Sequence, residues 1–184
     1  MREWIKRKIA KKAANLYLHR SLFFRQLLYL FTVRDKESED VLDEVFNLAI
    51  AKGFVLRKPE IRKLMPGLRD RYSVKIKKRR YELNTVARAI GSQNLIITTH
   101  SLLSCGDKLL IVVSIAHELG HIVDYQTRRK GHKLFDKIRH CDTEMFAYMF
   151  AAYLTSKLAV MVMQSTYNDY RFNIAQFLFI KIDC

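Results

Sequence analysis

The sequence predicts an α+β fold that is mostly helical and contains a small β-sheet. Of the 184 residues, 49% are hydrophobic, while only 6 are glycine and 2 are proline. This composition is typical of a globular domain and excludes a disordered or low-complexity chain. Apolar residues recur every three to four positions in several segments, which predicts helices. Between residues 72 and 99, alternating and β-branched segments predict strands instead.

Charge and cysteine content indicate the partners and the compartment. The formal net charge of +15 favours contact with an anionic partner, such as DNA or an acidic membrane surface. The three cysteines, Cys105, Cys141 and Cys184, are odd in number and lack CxxC spacing. This pattern argues against a disulfide framework and against a zinc ribbon. We therefore expect a reducing, cytoplasmic location, and the charge leaves membrane association open.

The N-terminal third of the chain is predicted to be helical. Residues 1–33 have the pattern of one basic amphipathic helix, which we expect to contact an anionic partner or to cap the domain. A second helix is expected to have Ser38 as its N-cap and to end just before Gly53. We interpret the segment 59–66, which has a proline at each end, as a linker or short helix. Residues 1–68 are thus predicted to form a helical N-terminal extension.

Residues 69–184 are predicted to form the domain that carries the functional site. Strands are expected at 72–77, 81–89 and 94–99, with a tight turn at Gly91-Ser92-Gln93. Helices are expected from the N-cap Asp107 to about residue 126, from 142 to 163 and from 169 to 182. Residues 145–163 are apolar enough to approach a membrane span, but we interpret them as a buried core helix because Glu144 stands at their head.

The run His117-Glu118-Leu119-Gly120-His121 carries the strongest functional signal. Residues four apart on a helix lie on one face, so His117 and His121 can direct two imidazoles at one zinc ion. Glu118 is offset from them and can serve as general base toward a water that the zinc acidifies. The flanking residues are apolar, and two buried imidazoles without a metal would be costly. Gly120 in mid-helix indicates close packing against a neighbouring strand or loop.

A catalytic zinc site needs a third protein ligand. We favour Glu144, because it opens the next predicted helix and is followed by small and apolar residues on one helical face. His132 is the alternative, since it follows a basic loop that could fold back over the metal. His140 and Asp142 are weaker candidates.

Several segments resemble gluzincin-type peptidases. They are Asn84-Thr85-Val86-Ala87, the Gly91 turn, the run from Ile96 to Leu103, the histidine motif, and the pattern Glu144-x-x-Ala147-x-x-Phe150-Ala151. The resemblance covers residues 81–155 and is to two families, the HtpX-like peptidases and the ImmA/IrrE peptidases. It implies a zincin-like domain with the sheet packed on the motif helix, Glu144 as third ligand and Glu118 as base. In HtpX-like peptidases, the strand before the motif helix aligns the substrate backbone beside the zinc.

One position departs from these families, and it bears on the function. Four residues after the ligand glutamate they have Asp or Asn, whereas this chain has Tyr148, which puts the usual support of the metal ligands in doubt.

The sequence predicts a zinc-dependent endopeptidase that acts on a protein or peptide substrate. One alternative is an enzyme similar to SprT-like peptidases of DNA-associated proteins, with His132 as ligand. The other is a non-catalytic basic module that binds DNA or membrane and keeps a vestigial zinc site. The sequence predicts no oligomeric state.

Overall fold

The computed structural model describes residues 32–65, 71–76, 79–84, 87–104, 106–156 and 159. The described chain is α+β, as predicted. Its strands are β1 (Thr32–Val33), β2 (Glu60–Leu64), β3 (Arg71–Ile76), β4 (Arg79–Asn84), β5 (Ala87–Ile90) and β6 (Leu95–Thr98). Its helices are α1 (Lys36–Ala51), α2 (His100–Leu103), α3 (Lys108–Thr127), α4 (Lys133–Ile138) and α5 (Thr143–Leu154).

The described strands form a four-stranded mixed sheet and a separate hairpin. The sheet has the order β1-β2-β6-β5, in which only β2 and β6 run parallel. β3 and β4 pair only with each other. The strand expected at 81–89 is therefore two strands, which belong to different sheets. The linker or short helix expected at 59–66 was wrong, because residues 60–64 pair with β6 as a central strand of the sheet.

The β5–β6 hairpin turns where the sequence predicted it. Gly91–Gln93 form a single 3-10 turn, and Asn94 then adopts a left-handed conformation with φ 51°, which asparagine tolerates better than most residues. A Cβ added to Gly91 would lie 2.5 Å from a ring carbon of Tyr125 in α3. The missing side chain thus lets the turn sit directly against the motif helix.

Side chains of β6 alternate between two hydrophobic clusters, as a period of two requires. Ile96 belongs to the main core with residues of α1, α3 and α5, whereas Leu95 and Ile97 belong to a smaller cluster with Leu64 of β2. The main core places α3 across one face of the sheet, with β5 at the sheet edge beside it.

Helix α1 begins earlier than expected. Ser38 is not the N-cap, because its backbone N–H and its hydroxyl both donate to the carboxylate of Asp35, at 3.1 and 2.8 Å. The same carboxylate pairs with Lys63 of β2 at 3.1 Å. Burial by itself would raise the pKa of Asp35, but the hydrogen bonds from Ser38 and the charge of Lys63 lower it. The helix start is thereby fixed to the sheet.

Helix α3 carries the histidine motif, and its predicted N-cap is confirmed. Asp107 accepts a hydrogen bond from the Leu110 N–H at 3.1 Å, and the 20-residue helix ends where Arg128 turns left-handed. Gly120 packs against α5 rather than against a strand or loop: a Cβ added there would lie 2.9 Å from Ala147 Cα. The absence of a side chain therefore sets how closely α3 and α5 approach.

Strands β1 and β2 of the segment 32–64 belong to the same sheet as β5 and β6. Apolar residues of this segment also belong to the same core as those of α3 and α5. Most of the basic helix predicted over 1–33, and all of the last one predicted over 169–182, lie outside the described residues; residues 32 and 33 form a strand. The division at residue 68 stays a prediction. Within the described part of the chain, no helix is long and apolar enough to cross a membrane, and α5 ends at Leu154, well short of residue 163.

The Gly120 contact can be tested by adding one methyl group. On an open helix face Gly→Ala stabilises by about 1 kcal/mol, but here the methyl meets the backbone of α5. We expect Gly120→Ala to lower the free energy of unfolding by about 1–3 kcal/mol, measured by chemical denaturation. Lys108→Ala, at an exposed position of the same helix, is the control and should change it by less than about 0.5 kcal/mol. A Gly120→Ala protein as stable as the parent would contradict the close packing.

Candidate metal centre

Two helices bring three of the predicted site residues together. His117 and His121 lie one turn apart on α3, on either side of Gly120, and Glu144 lies in the first turn of α5. On α5, Glu144 and Ala147 share one face because they are three residues apart. Since Ala147 contacts Gly120, Glu144 is directed at the two histidines.

The three ligand atoms form a compact triangle. His117 Nε2 and His121 Nε2 are 3.2 Å apart, and Glu144 Oε2 lies 3.5 and 3.6 Å from them. A zinc ion bonded to three such atoms at about 2.1 Å, the length of zinc bonds to imidazole nitrogen and carboxylate oxygen, would lie just outside the plane of this triangle and leave a fourth position open. The edges also match the roughly 3.3 Å between neighbouring ligands of a tetrahedral zinc ion. His117, His121 and Glu144 could therefore hold a metal ion.

Electrostatic contacts within this triangle shift the pKa values of Glu144 and His121. Burial by itself would raise the pKa of Glu144, but hydrogen bonds with His117 and His121, and their charges, hold it well below its ordinary value of 4.5. Burial would lower the pKa of His121, but its hydrogen bond to Glu144 and the charges of Glu118 and Glu144 raise it above 6.5. The carboxylate thus stays ionised among the imidazoles.

Glu118 points to the sheet edge beside the triangle. Its Oε2 accepts a hydrogen bond from the backbone N–H of Ala89 at 2.5 Å. Ala89 lies in β5 opposite Ile96 of β6, and an N–H that donates to Glu118 points away from β6. The predicted base therefore lies between the metal ligands and the outer edge of the sheet.

His132, the alternative third ligand, is used elsewhere. Its Nδ1 accepts a hydrogen bond from the Leu134 N–H at 3.1 Å as the N-cap of α4. Its Nε2 lies 3.0 Å from the carbonyl oxygen of Lys52, and its ring stacks on Phe54 with centroids 3.8 Å apart. Both ring nitrogens are engaged, so His132 is not part of the metal group.

The two weaker candidates do not join the group either. Asp142 is the N-cap of α5 and accepts a hydrogen bond from the Met145 N–H at 2.8 Å. His140 is exposed. Neither residue belongs to the metal-binding group found among the described residues.

Arg129 is a residue that the sequence reading missed. Its guanidinium donates to both carboxylate oxygens of Asp124 at 2.9 Å, and to the carbonyl oxygens of Arg139 and Cys141. It also lies 4.7 Å from the ring centroid of Phe146 in α5. Arg129 therefore ties the end of α3 to the segment that leads into Glu144. Because Arg129 lies in a run of basic residues, the sequence pattern is that of a solvated loop. No neighbouring residue indicates its structural role.

Comparison of the chain with protein-family models, with curated proteins and with solved structures gives no match.

The ligand set predicts which substitutions remove the metal. We expect Glu144→Ala to abolish stoichiometric zinc binding, because it removes one corner of the triangle. His132→Ala should keep the zinc and lose roughly 2–4 kcal/mol of stability, because it removes the N-cap, the contact with the Lys52 carbonyl and the stacking on Phe54. Zinc content by elemental analysis, together with thermal unfolding, separates the two effects. Zinc retained in Glu144→Ala and lost in His132→Ala would replace the proposed ligand set.

Zinc binding is also expected to depend on pH. Because the pKa of His121 is raised above its ordinary value of 6.5, more than half of the metal-free protein carries this proton at pH 6.5, and a metal must displace it. Affinity should therefore fall by about tenfold per pH unit at pH values well below the pKa of His121, with more than about half a proton released per zinc at pH 6.5. Calorimetry in buffers of different ionisation enthalpy counts the protons. Zinc binding without proton release at pH 6.5 would show that His121 is not a ligand.

Proposed function

We propose that this chain is a zinc-dependent endopeptidase with a zincin-like catalytic domain. The observation that carries the proposal is the three-residue group His117, His121 and Glu144, with a carboxylate, Glu118, on the same helix as the histidines. Structural zinc sites close the metal with four protein ligands, whereas catalytic sites use three and leave one position open. Among the described residues, three possible ligands beside a second carboxylate, Glu118, which is hydrogen-bonded to Ala89 and is not a ligand, form the arrangement of a catalytic site.

The sheet edge beside the site suits an extended substrate. β5 is the last strand of the described sheet, and an edge strand can pair with an added peptide through main-chain hydrogen bonds. The N–H of Ala89 already donates to Glu118, so a peptide lying along β5 passes the carboxylate. This supports a protein or peptide as the substrate.

The chemistry follows from what each residue can do. When bound, zinc acidifies a water and polarises the scissile carbonyl. Glu118 takes the proton of the attacking water on its carboxylate and later delivers it to the departing amine. His117, His121 and Glu144 keep their positions through the packing of α3 against α5.

The two alternatives have less support. A site of SprT-like type would need a histidine such as His132, whose ring nitrogens are both engaged away from the triangle. A vestigial site has no need for Glu118, yet its carboxylate lies beside the ligands. An anionic partner bound through residues 1–33 stays a separate proposal, since nearly all of these residues lie outside the described part.

Glu118→Gln separates an enzyme from a metal-binding scaffold. The amide can still accept the Ala89 N–H and leaves the three ligands in place, but it cannot take a proton from water. We expect unchanged zinc content and stability, while cleavage of an unfolded casein substrate falls by about 10²- to 10⁴-fold.

A chelator provides the control for contaminating proteases. Cleavage by the parent protein should stop when zinc is removed and return when zinc is added. Cleavage that persists in the Gln variant, or that ignores the chelator, would refute the proposed mechanism.

A further inference from the structure

One ring nitrogen of His117 is left without a hydrogen bond. His117 is only 7% exposed. Its Nε2 faces the other two ligands, while its Nδ1 is buried and has no hydrogen-bond partner among the described residues. Metal-binding histidines almost always donate this second N–H to a carboxylate, a carbonyl or a water, which fixes the ring and makes it a stronger ligand. No described residue therefore gives His117 this usual support.

An aromatic ring packs against His117 instead. Tyr148 lies on α5 four residues after Glu144, and thus on the same face of the helix. Its ring centroid lies 4.3 Å from that of His117, with 53° between the ring planes, and the side chain is 3% exposed. The contact restricts the imidazole from the side of α5. A ring face is a much weaker acceptor than an oxygen atom.

We propose that Tyr148 is a positioning residue, which holds His117 by ring packing and leaves its Nδ1 unsupported, so that this centre binds zinc weakly and exchanges it readily. The inference rests on the proposed metal site. Packing fixes the direction of Nε2, and this is enough to form the triangle. Without an acceptor at Nδ1 the imidazole donates less charge to the metal, and such outer contacts change metal affinity by about 10- to 100-fold.

The role of the ring is tested by two substitutions at one position. Zinc affinity is measured by competition with a chromophoric chelator at pH 7.5, and zinc release by transfer to an excess of chelator. Tyr148→Phe keeps the ring and should bind zinc within about twofold of the parent. Tyr148→Leu removes the ring and should bind about tenfold more weakly. An equal loss in Phe and Leu would overturn the proposal, because the hydroxyl would then be the support.

Tyr153 provides a matched control on the same helix. It is also buried, but its ring packs near Phe54 and His132, away from the metal ligands. Tyr153→Leu should lower the thermal unfolding temperature about as much as Tyr148→Leu and leave zinc affinity unchanged. If both Leu variants lose affinity equally, Tyr148 acts only through general stability and the proposal is wrong.

The unsupported nitrogen is tested by adding an acceptor. Tyr148→Asn removes the ring as Tyr148→Leu does, but it places a carbonyl oxygen on the side chain next to His117 and should slow zinc release by about tenfold relative to Tyr148→Leu. The nitrogen NMR signal of His117 Nδ1 in zinc-loaded protein should shift as a hydrogen bond forms. Unchanged release together with an already hydrogen-bonded signal in the parent would overturn the inference. A parent protein that binds no zinc at all would instead refute the proposed function.

Discussion

The site depends on the close contact of α3 and α5 at Gly120 and Ala147. Because Gly120 has no side chain, the backbone of α5 can approach the motif helix. The two histidines lie on either side of this contact, and Glu144 lies one turn before Ala147. A wider spacing of the helices would pull the carboxylate from its 3.5 and 3.6 Å distances to the imidazoles. The packing distance of the helices and the geometry of the ligands are one constraint.

That contact requires the chain to reverse between the two helices, and Arg129 supports the reversal. Arg128 and Arg129 are both left-handed, with φ 49° and 58°, a conformation that costs energy for residues other than glycine. The guanidinium of Arg129 offsets this cost, since its planar array of donors reaches Asp124 and two loop carbonyls at once. The basic run is therefore in part a structural connection rather than a solvated loop.

What the sequence predicted well is what local physics determines. The motif helix, the N-cap Asp107, the turn at Gly91 and the start of α5 each follow from neighbouring residues, and the spacing of histidines on a helix needs no tertiary information. Strand β2 was not predicted because it has few apolar residues. Its partner β6 is also distant in sequence and runs parallel to it. His132 was an alternative ligand because the sequence alone does not distinguish a histidine that caps a helix from one that binds a metal. Tyr148 was identified from the sequence as a departure from the Asp or Asn of the similar families. Its ring contact with His117 depends on how α3 and α5 pack and could not be predicted.

The three side chains of the group compensate one another's burial electrostatically. A buried carboxylate is costly when unpaired, yet Glu144 lies against two imidazoles that hold its pKa low, while its hydrogen bond and its charge raise the pKa of His121. Hydrogen bonds within the triangle thus compensate the burial of its own members. The core around it consists of hydrophobic residues from α1, α3, α5 and the sheet, none of which needs a metal to pack. The packing that positions the three side chains is therefore hydrophobic, unlike in zinc fingers, where the metal drives folding. A metal ion bound at this group would replace the protons between side chains that the packing of α3 against α5 holds together.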